Sequence, residues 1–310
     1  MARSITRREF ARTGLAAAAL AAAGARPARA AGSLHLGLVT YNVAKDWDLD
    51  TLLRLCREAG FEGVEFRTTH AHGVERTLPP SARATVRAKC RDAGMKQTSL
   101  GSVCEFHSPD PAVVRQNVAD CREWVLLAKD IGARAVKVRP NGLPKDVPEE
   151  KTLEQIGRAL AECGAVARDN GVEIWCEVHG DATRLPSRMR RIMDACSHPA
   201  VGVTWNSNDT DVTNGSIAES LALLQPFVRC CHITDIGVAP PPEAPGAAGA
   251  ASPAAVPSAT PPYPYRELFA RLAEASFTGF TLCEYPQAVP AAAGAEWLRR
   301  YRVRWSQLQA

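Results

Sequence analysis

Four apolar runs late in the chain each end in a residue type that can bind a metal or move a proton. They are Ile174-Trp175-Cys176-Glu177-Val178-His179, Val203-Thr204-Trp205-Asn206-Ser207-Asn208-Asp209, Cys230-Cys231-His232-Ile233-Thr234-Asp235 and Leu282-Cys283-Glu284-Tyr285. One carboxylate at a strand end is ordinarily a salt-bridge or solvated residue. Four successive strands ending in oxygen or imidazole groups are a rarer coincidence. Side chains alternate along a strand. If Glu177, His232 and Glu284 point to one face, Cys176, Cys231 and Cys283 point to the other, and His179 joins Glu177. Two carboxylates, an imidazole and an amide oxygen converging at one place suit a divalent cation such as Mn²⁺, Mg²⁺, Co²⁺ or Zn²⁺.

Such convergence needs strands that end on a common rim, and the chain is punctuated accordingly. Glu58-Ala59-Gly60, Asp92-Ala93-Gly94, Asp130-Ile131-Gly132 and Asp169-Asn170-Gly171 each close a helical pattern and precede an apolar run. Glycine just past a helix can adopt the left-handed conformation that satisfies its last carbonyls. The glycines are 34, 38 and 39 residues apart, the length of one strand–helix unit. Strands are expected over 34–42, 63–67, 96–103, 135–139, 172–179, 201–206, 228–235 and 279–285. Helices are expected over 49–59, 80–93, 111–131, 149–170, 187–196, 216–224, 264–275 and 293–307. Asp110-Pro111 supplies the third helix with an N-cap and a first-turn proline. Eight alternating units predict an α/β protein, a single-domain (β/α)₈ TIM barrel over 31–310. An open doubly wound sheet is the alternative, weakened because no glycine-rich dinucleotide fingerprint follows the first strand. Residues 240–262, with eight Pro and eight Ala, read as a mobile loop after the seventh strand.

The ordered set Gly63-Val64-Glu65, Glu177, Trp205-Asn206, His232 and Glu284, with the cadence across 34–307, resembles the xylose isomerase-like barrels. That group includes sugar isomerases, ketose 3-epimerases and sugar phosphate isomerase/epimerase homologues. The resemblance implies a metal held by Glu177, Asn206, His232 and Glu284, with Glu177 and Glu284 removing and returning a proton beside a carbonyl. The chain departs from the family at two positions: Asn206 stands where Asp is usual, and Asp209 where a substrate-binding His is usual. An amide ligand removes one negative charge and weakens a cation site; Asp209 can supply the charge or meet a sugar hydroxyl. The implied activity is a metal-dependent isomerase or epimerase acting on a sugar or sugar derivative. A lyase cleaving keto-sugar glycosides by β-elimination at the same site, or a non-catalytic sugar-binding protein, remains open as an alternative.

Further candidates for contacting substrate are His179, Asp209, Glu65, Arg139 and His107. Glu65 and Arg67 share an inward face, as do Lys137 and Arg139, and either pair can bind substrate or form a buried ion-pair layer. His70 and His72 read as exposed loop histidines, His35 and His198 as structural, and Trp175 and Trp205 as core.

The formal charge of +4 does not point to nucleic acid, because it resides in residues 1–30, which hold six Arg and one acid. The remainder carries 31 basic and 32 acidic residues. Thr6-Arg7-Arg8-Glu9-Phe10, the Ala-rich run to Ala25 and Ala28-Arg29-Ala30 resemble a twin-arginine signal peptide, predicting export to the periplasm or beyond. The uncharged run is too short to span a bilayer, which takes about 20 residues, so no stable membrane span is expected. The expected partner is a small-molecule carbohydrate, with an oligomer left open. The ten Cys have irregular spacing and read as buried thiols, with one disulfide left open.

Overall fold

The structure, a computed structural model, describes residues 34–239, 241 and 262–310. The signal-like residues 1–30, and all of the 240–262 stretch except Pro241 and Pro262, lie outside the described residues.

Eight parallel strands close into one barrel in chain order. They are β1 (His35–Val39), β2 (Gly63–Arg67), β3 (Gln97–Glu105), β4 (Ala135–Arg139), β5 (Glu173–Glu177), β6 (Val201–Trp205), β7 (Val228–Ile233) and β8 (Phe280–Cys283). Closure comes from β1 lying against β8, with Gly37 opposite Leu282. The main helices are α1 (Leu49–Ala59), α2 (Pro80–Asp92), α3 (Pro111–Ile131), α4 (Glu149–Asp169), α5 (Pro186–Cys196), α6 (Ala218–Leu224), α7 (Tyr265–Glu274) and α8 (Ala291–Gln307). The barrel expectation therefore holds, and the open sheet is excluded.

Local sequence explains these boundaries. Asp48 caps α1 by accepting from the Thr51 amide at 2.7 Å, and Asp110 caps α3 through the Ala112 amide at 2.8 Å. The four punctuating glycines take φ of 74°, 77°, 75° and 69°, the left-handed turn their positions require. Helix α1 buries Leu52, Leu53, Leu55, Cys56 and Ala59 on one stripe.

The main core lies between strands and helices, where Cys176, Cys231 and Cys283 face outward as alternation requires. All ten Cys are buried and free. Inside the barrel, Val39, Ala135, Trp175, Cys230, Phe280 and Leu282 form a separate apolar plug. Trp205 is equally buried on the outer side, its Nε1 donating to the Tyr263 hydroxyl at 2.9 Å. Both tryptophans are core residues. Among the described residues, no helix is long and apolar enough to cross a membrane.

Candidate metal centre

Above the plug, the inward positions change from apolar to ionisable. Glu65 on β2, Lys137 on β4, Glu177 on β5 and His232 on β7 are fully or almost fully buried there, with Glu284 just past the end of β8. Alternation places Lys137, Glu177, His232 and Glu284 each two residues above a plug residue of the same strand, and Glu65 two above Gly63, so they form a second storey of the barrel interior.

One atom each of Glu177, His232 and Glu284 lies within 4.8 Å of the other two. The ring nitrogen His232 Nδ1 is 3.5 Å from Glu177 Oε1 and 3.3 Å from Glu284 Oε2. It is buried and makes no hydrogen bond. The opposite nitrogen, Nε2, faces Glu65 Oε2 at 3.3 Å. A carboxylate behind a histidine orients the ring and selects its tautomer in metal sites. Glu65 thus stands behind the imidazole and not among the converging atoms.

Glu177 is clamped on both sides. Lys137 Nζ donates to Oε2 at 2.6 Å, and Asn206 Nδ2 donates to Oε1 at 3.1 Å. Burial alone would raise its pKa, but Lys137 and His232 outweigh that and hold the carboxyl well below its ordinary range. Glu65 is lowered in the same way, with His232 and Lys137 outweighing burial. Burial disfavours a charged His232, yet Glu284, Glu65 and Glu177 together raise its pKa well above the ordinary value. Three carboxylates around one ring, balanced by one ammonium, make a pocket short of positive charge.

Asn206 departs from its expected role as an oxygen ligand. Its Oδ1 accepts from the Ser207 amide at 2.9 Å, so the N–H side of the amide faces Glu177. Turning the amide over would set two donors against each other at Ser207. The structure therefore brings together three of the four expected ligands, with Asn206 buttressing one of them.

The other candidates divide. His179 Nδ1 meets Asn141 Oδ1 at 2.7 Å, Arg139 donates to Glu105 at 2.7 Å, and His107 stands 3.9 Å from the same carboxylate. Glu105 also accepts from Asn141. These residues form one polar wall over the ends of β3, β4 and β5. Burial lowers the His179 pKa and favours its neutral ring. Asp209 is exposed in the loop after β6 and lies 3.5 Å from Arg184.

The reading of His70 and His72 as exposed histidines is corrected. His72 is only 5% exposed, with Nε2 on the Arg67 carbonyl at 2.9 Å and Nδ1 accepting from the Val74 amide at 3.0 Å. Burial pushes its pKa down to about 4. His70 is half-buried against Thr40. Both histidines shape the loop after β2. His35 bonds Glu62 at 2.9 Å, and His198 accepts from the Ala200 amide, as structural residues.

Glu105 and Asn141 were not anticipated. Glu105 lies beyond the expected end of the third strand, because a register irregularity between Gly101 and Glu105 lengthens β3. Asn141 has φ of 64°, and the Pro140-Asn141-Gly142 turn directly after a strand was the available signal.

Asp211, also not anticipated, is fully buried in the loop after β6. Its Oδ2 accepts from the Asn208 amide at 2.9 Å and from the Tyr263 hydroxyl at 3.1 Å, while Oδ1 has no partner. Burial pushes its pKa up to about 7; the two bonds and Arg184 oppose the rise, and Asp209 adds to it. Between the unfolded value and about 7, the folded chain holds a proton that the unfolded chain releases. This contribution is full below about pH 4 and is lost as pH rises through about 7, falling by about 1.4 kcal/mol for each pH step of one across that window. Melting temperature should fall between about pH 5.5 and about pH 8, and Asp211→Asn should flatten that slope. Equal slopes in the two proteins would exclude Asp211 as its source.

No curated protein matches the chain. The family model described as a xylose isomerase-like TIM barrel matches residues 53–301, most of the chain and every residue of the centre. The chain belongs to this family. Among solved structures, this xylose isomerase-like barrel is similar to D-psicose 3-epimerase from Clostridium cellulolyticum H10, with a TM-score of 0.67 at 13% identity over 89% of this chain and 96% of that one. It is similar to 3-keto-D-glucoside 4-epimerase from E. coli, with a TM-score of 0.65 at 14% identity, covering 89% and 99%. The IOLI protein with a bound zinc atom gives a TM-score of 0.66 at 16% identity, covering 89% and 98%. At these identities the likeness concerns the fold.

Proposed function

We propose that this xylose isomerase-like barrel is a divalent-cation-dependent isomerase or epimerase that moves a proton beside the carbonyl of a sugar or sugar derivative. The observation that carries this reading is His232 Nδ1, buried, without a hydrogen bond, and flanked by one oxygen each of Glu177 and Glu284. A buried nitrogen left unpaired is costly unless something fills its place. Glu65 behind the ring and the surplus of carboxylates fit a cation. Glu177, His232 and Glu284 would hold it. When bound it supplies Lewis-acid polarisation of a carbonyl. Proteins of the same fold that are named as sugar epimerases, and one with zinc, support this substrate class.

The two carboxylates have different duties in this reading. Glu177 has both oxygens engaged, by Lys137 and Asn206, and serves as a fixed anion. Glu284 lies at the open end with its side chain 10% exposed, and directs Oε2 to His232. Its other oxygen takes the proton from carbon; delivering it to the neighbouring carbon gives isomerisation, whereas epimerisation also needs a proton supplied from the opposite face. The polar wall of His179, Asn141, Glu105 and Arg139 orients the hydroxyls. If residues 1–30 act as the export signal they resemble, the enzyme meets a free sugar more readily than an intracellular phosphate ester.

Thermal unfolding tests the centre directly. Protein stripped with chelator should gain about 2.7 kcal/mol when Mn²⁺ reaches about 100 times its dissociation constant. His232→Ala should abolish the gain. Asn206→Asp sets a carboxylate against Glu177 Oε1, so it should melt lower without the ion and show a larger Mn²⁺ gain. No gain with Mn²⁺, Mg²⁺, Co²⁺ or Zn²⁺ would end the proposal.

A further inference from the structure

We propose that Arg67 recognises a carboxylate on the substrate, so that the sugar handled here is a sugar acid. This deepens the function proposed above and rests on it. Arg67 is the last residue of β2, on the inward face two residues beyond Glu65. That spacing is about 6.6 Å of rise towards the mouth, above the level of the clustered carboxylates. Gly101 on β3 makes the room. A Cβ there would lie 2.7 Å from Arg67 Cδ and 2.9 Å from Glu65 Oε1. The guanidinium carbon lies 5.4 Å from the centre of the Tyr41 ring.

What sets Arg67 apart is the absence of an anionic partner. Its Nε is buried without a hydrogen bond, and among the described residues its side chain forms no ion pair. Lys137 is engaged by Glu177, Arg139 by Glu105 and Arg184 by Asp209. Glu65 turns Oε2 to His232 and leaves Oε1 without a hydrogen bond, forming no ion pair with Arg67, while Glu75 is held by the Thr68 hydroxyl and the Thr69 amide. Lys45 and Asp46 also act on His70, and both are exposed.

Charge balance points the same way. Glu65, Glu177 and Glu284 are matched by Lys137 and a divalent cation, and Glu105 by Arg139. Among the described residues, Arg67 is left without an ion pair at the mouth. A planar guanidinium matches a carboxylate in shape and in charge. A phosphate dianion would draw on a second cation, and Lys45, the other cation acting on His70, is exposed on the segment after β1.

A matched pair of six-carbon ketoses tests this: D-fructose, and D-fructuronate, in which a carboxylate replaces the terminal hydroxymethyl group. Binding is measured by titration calorimetry on Mn²⁺-loaded protein, with fructose 6-phosphate as the competing anion. Wild type should bind D-fructuronate about 10- to 100-fold more tightly than D-fructose, the worth of one hydrogen bond to a charged group. Arg67→Met should erase that difference without weakening D-fructose, and Arg67→Lys should restore part of it. Equal affinities in wild type, equal loss of both ligands in Arg67→Met, or a preference for fructose 6-phosphate would overturn the assignment. Solvent deuterium incorporation, read in the same samples, separates the two proposals. Arg67-dependent binding with no exchange in either sugar leaves the carboxylate site standing and removes the isomerase reading. Exchange in D-fructose with no preference for the acid does the reverse.

Discussion

Glu284→Gln is expected to lower turnover by about 10²- to 10⁴-fold, the range for losing a positioned general base, while leaving a folded protein. Glu284 is the carboxylate of the centre that reaches the mouth, and its only described ion pair is with His232. An amide of the same shape keeps the packing and removes the basic oxygen. Solvent-proton exchange into a bound ketose, followed by NMR, reads the proton step directly. Near-normal exchange in Glu284→Gln would remove this residue as the base. Glu177→Gln should also abolish turnover, but through a different route. It strips Lys137 of its buried partner, so this variant should lose stability as well as activity.

The second large effect is on stability. Lys137 and Glu177 form a 2.6 Å ion pair in which the side chains are 0% and 3% exposed. Removing one partner of such a pair costs about 3–5 kcal/mol, because the other charge stays buried. In a chain of this size that is on the order of 10 °C in melting temperature. Lys137→Met should show this loss, and the double variant Lys137→Met/Glu177→Gln should recover much of it, since no charge is then stranded. If the double variant melts no higher than the single one, the ion pair is not what Lys137 contributes. Chelator-stripped protein should be used for both, so that cation binding does not enter the comparison.

The architecture was legible because barrel strands and helices are local events with local signals. The glycine turns at Gly60, Gly94, Gly132 and Gly171 and the caps at Asp110-Pro111 depend on a few neighbouring residues. Helices α1 and α3 accordingly begin and end where their patterns do. The strand ends were less legible. Hydropathy places His179, Asn206 and Glu284 inside strands, yet each lies just beyond its strand's last residue. Apolar character continues past the last ladder bond, so it does not mark where the backbone leaves the sheet. The irregularity in β3 that brings Glu105 to the wall is a register effect of the same kind.

Alternation along single strands was sufficient to put Glu65, Glu177, His232 and Glu284 on the inside and Cys176, Cys231 and Cys283 on the outside. It had no means of pairing residues across the barrel. That Lys137 clamps Glu177, that Glu65 stands behind His232, and that Asn206 offers its N–H to Glu177 are relations between strands 29 to 167 positions apart. The burial of His72 and Asp211 likewise depends on which loops fold over them, and a polar residue in a polar stretch carries no mark of that. The sequence alone determined the eight-unit barrel and the group of residues at its mouth, since helix periodicity, capping and strand alternation are properties of consecutive residues. Only the tertiary structure decided which members of that group touch, which one is pinned and which is left unpaired, because closing the barrel sets those distances.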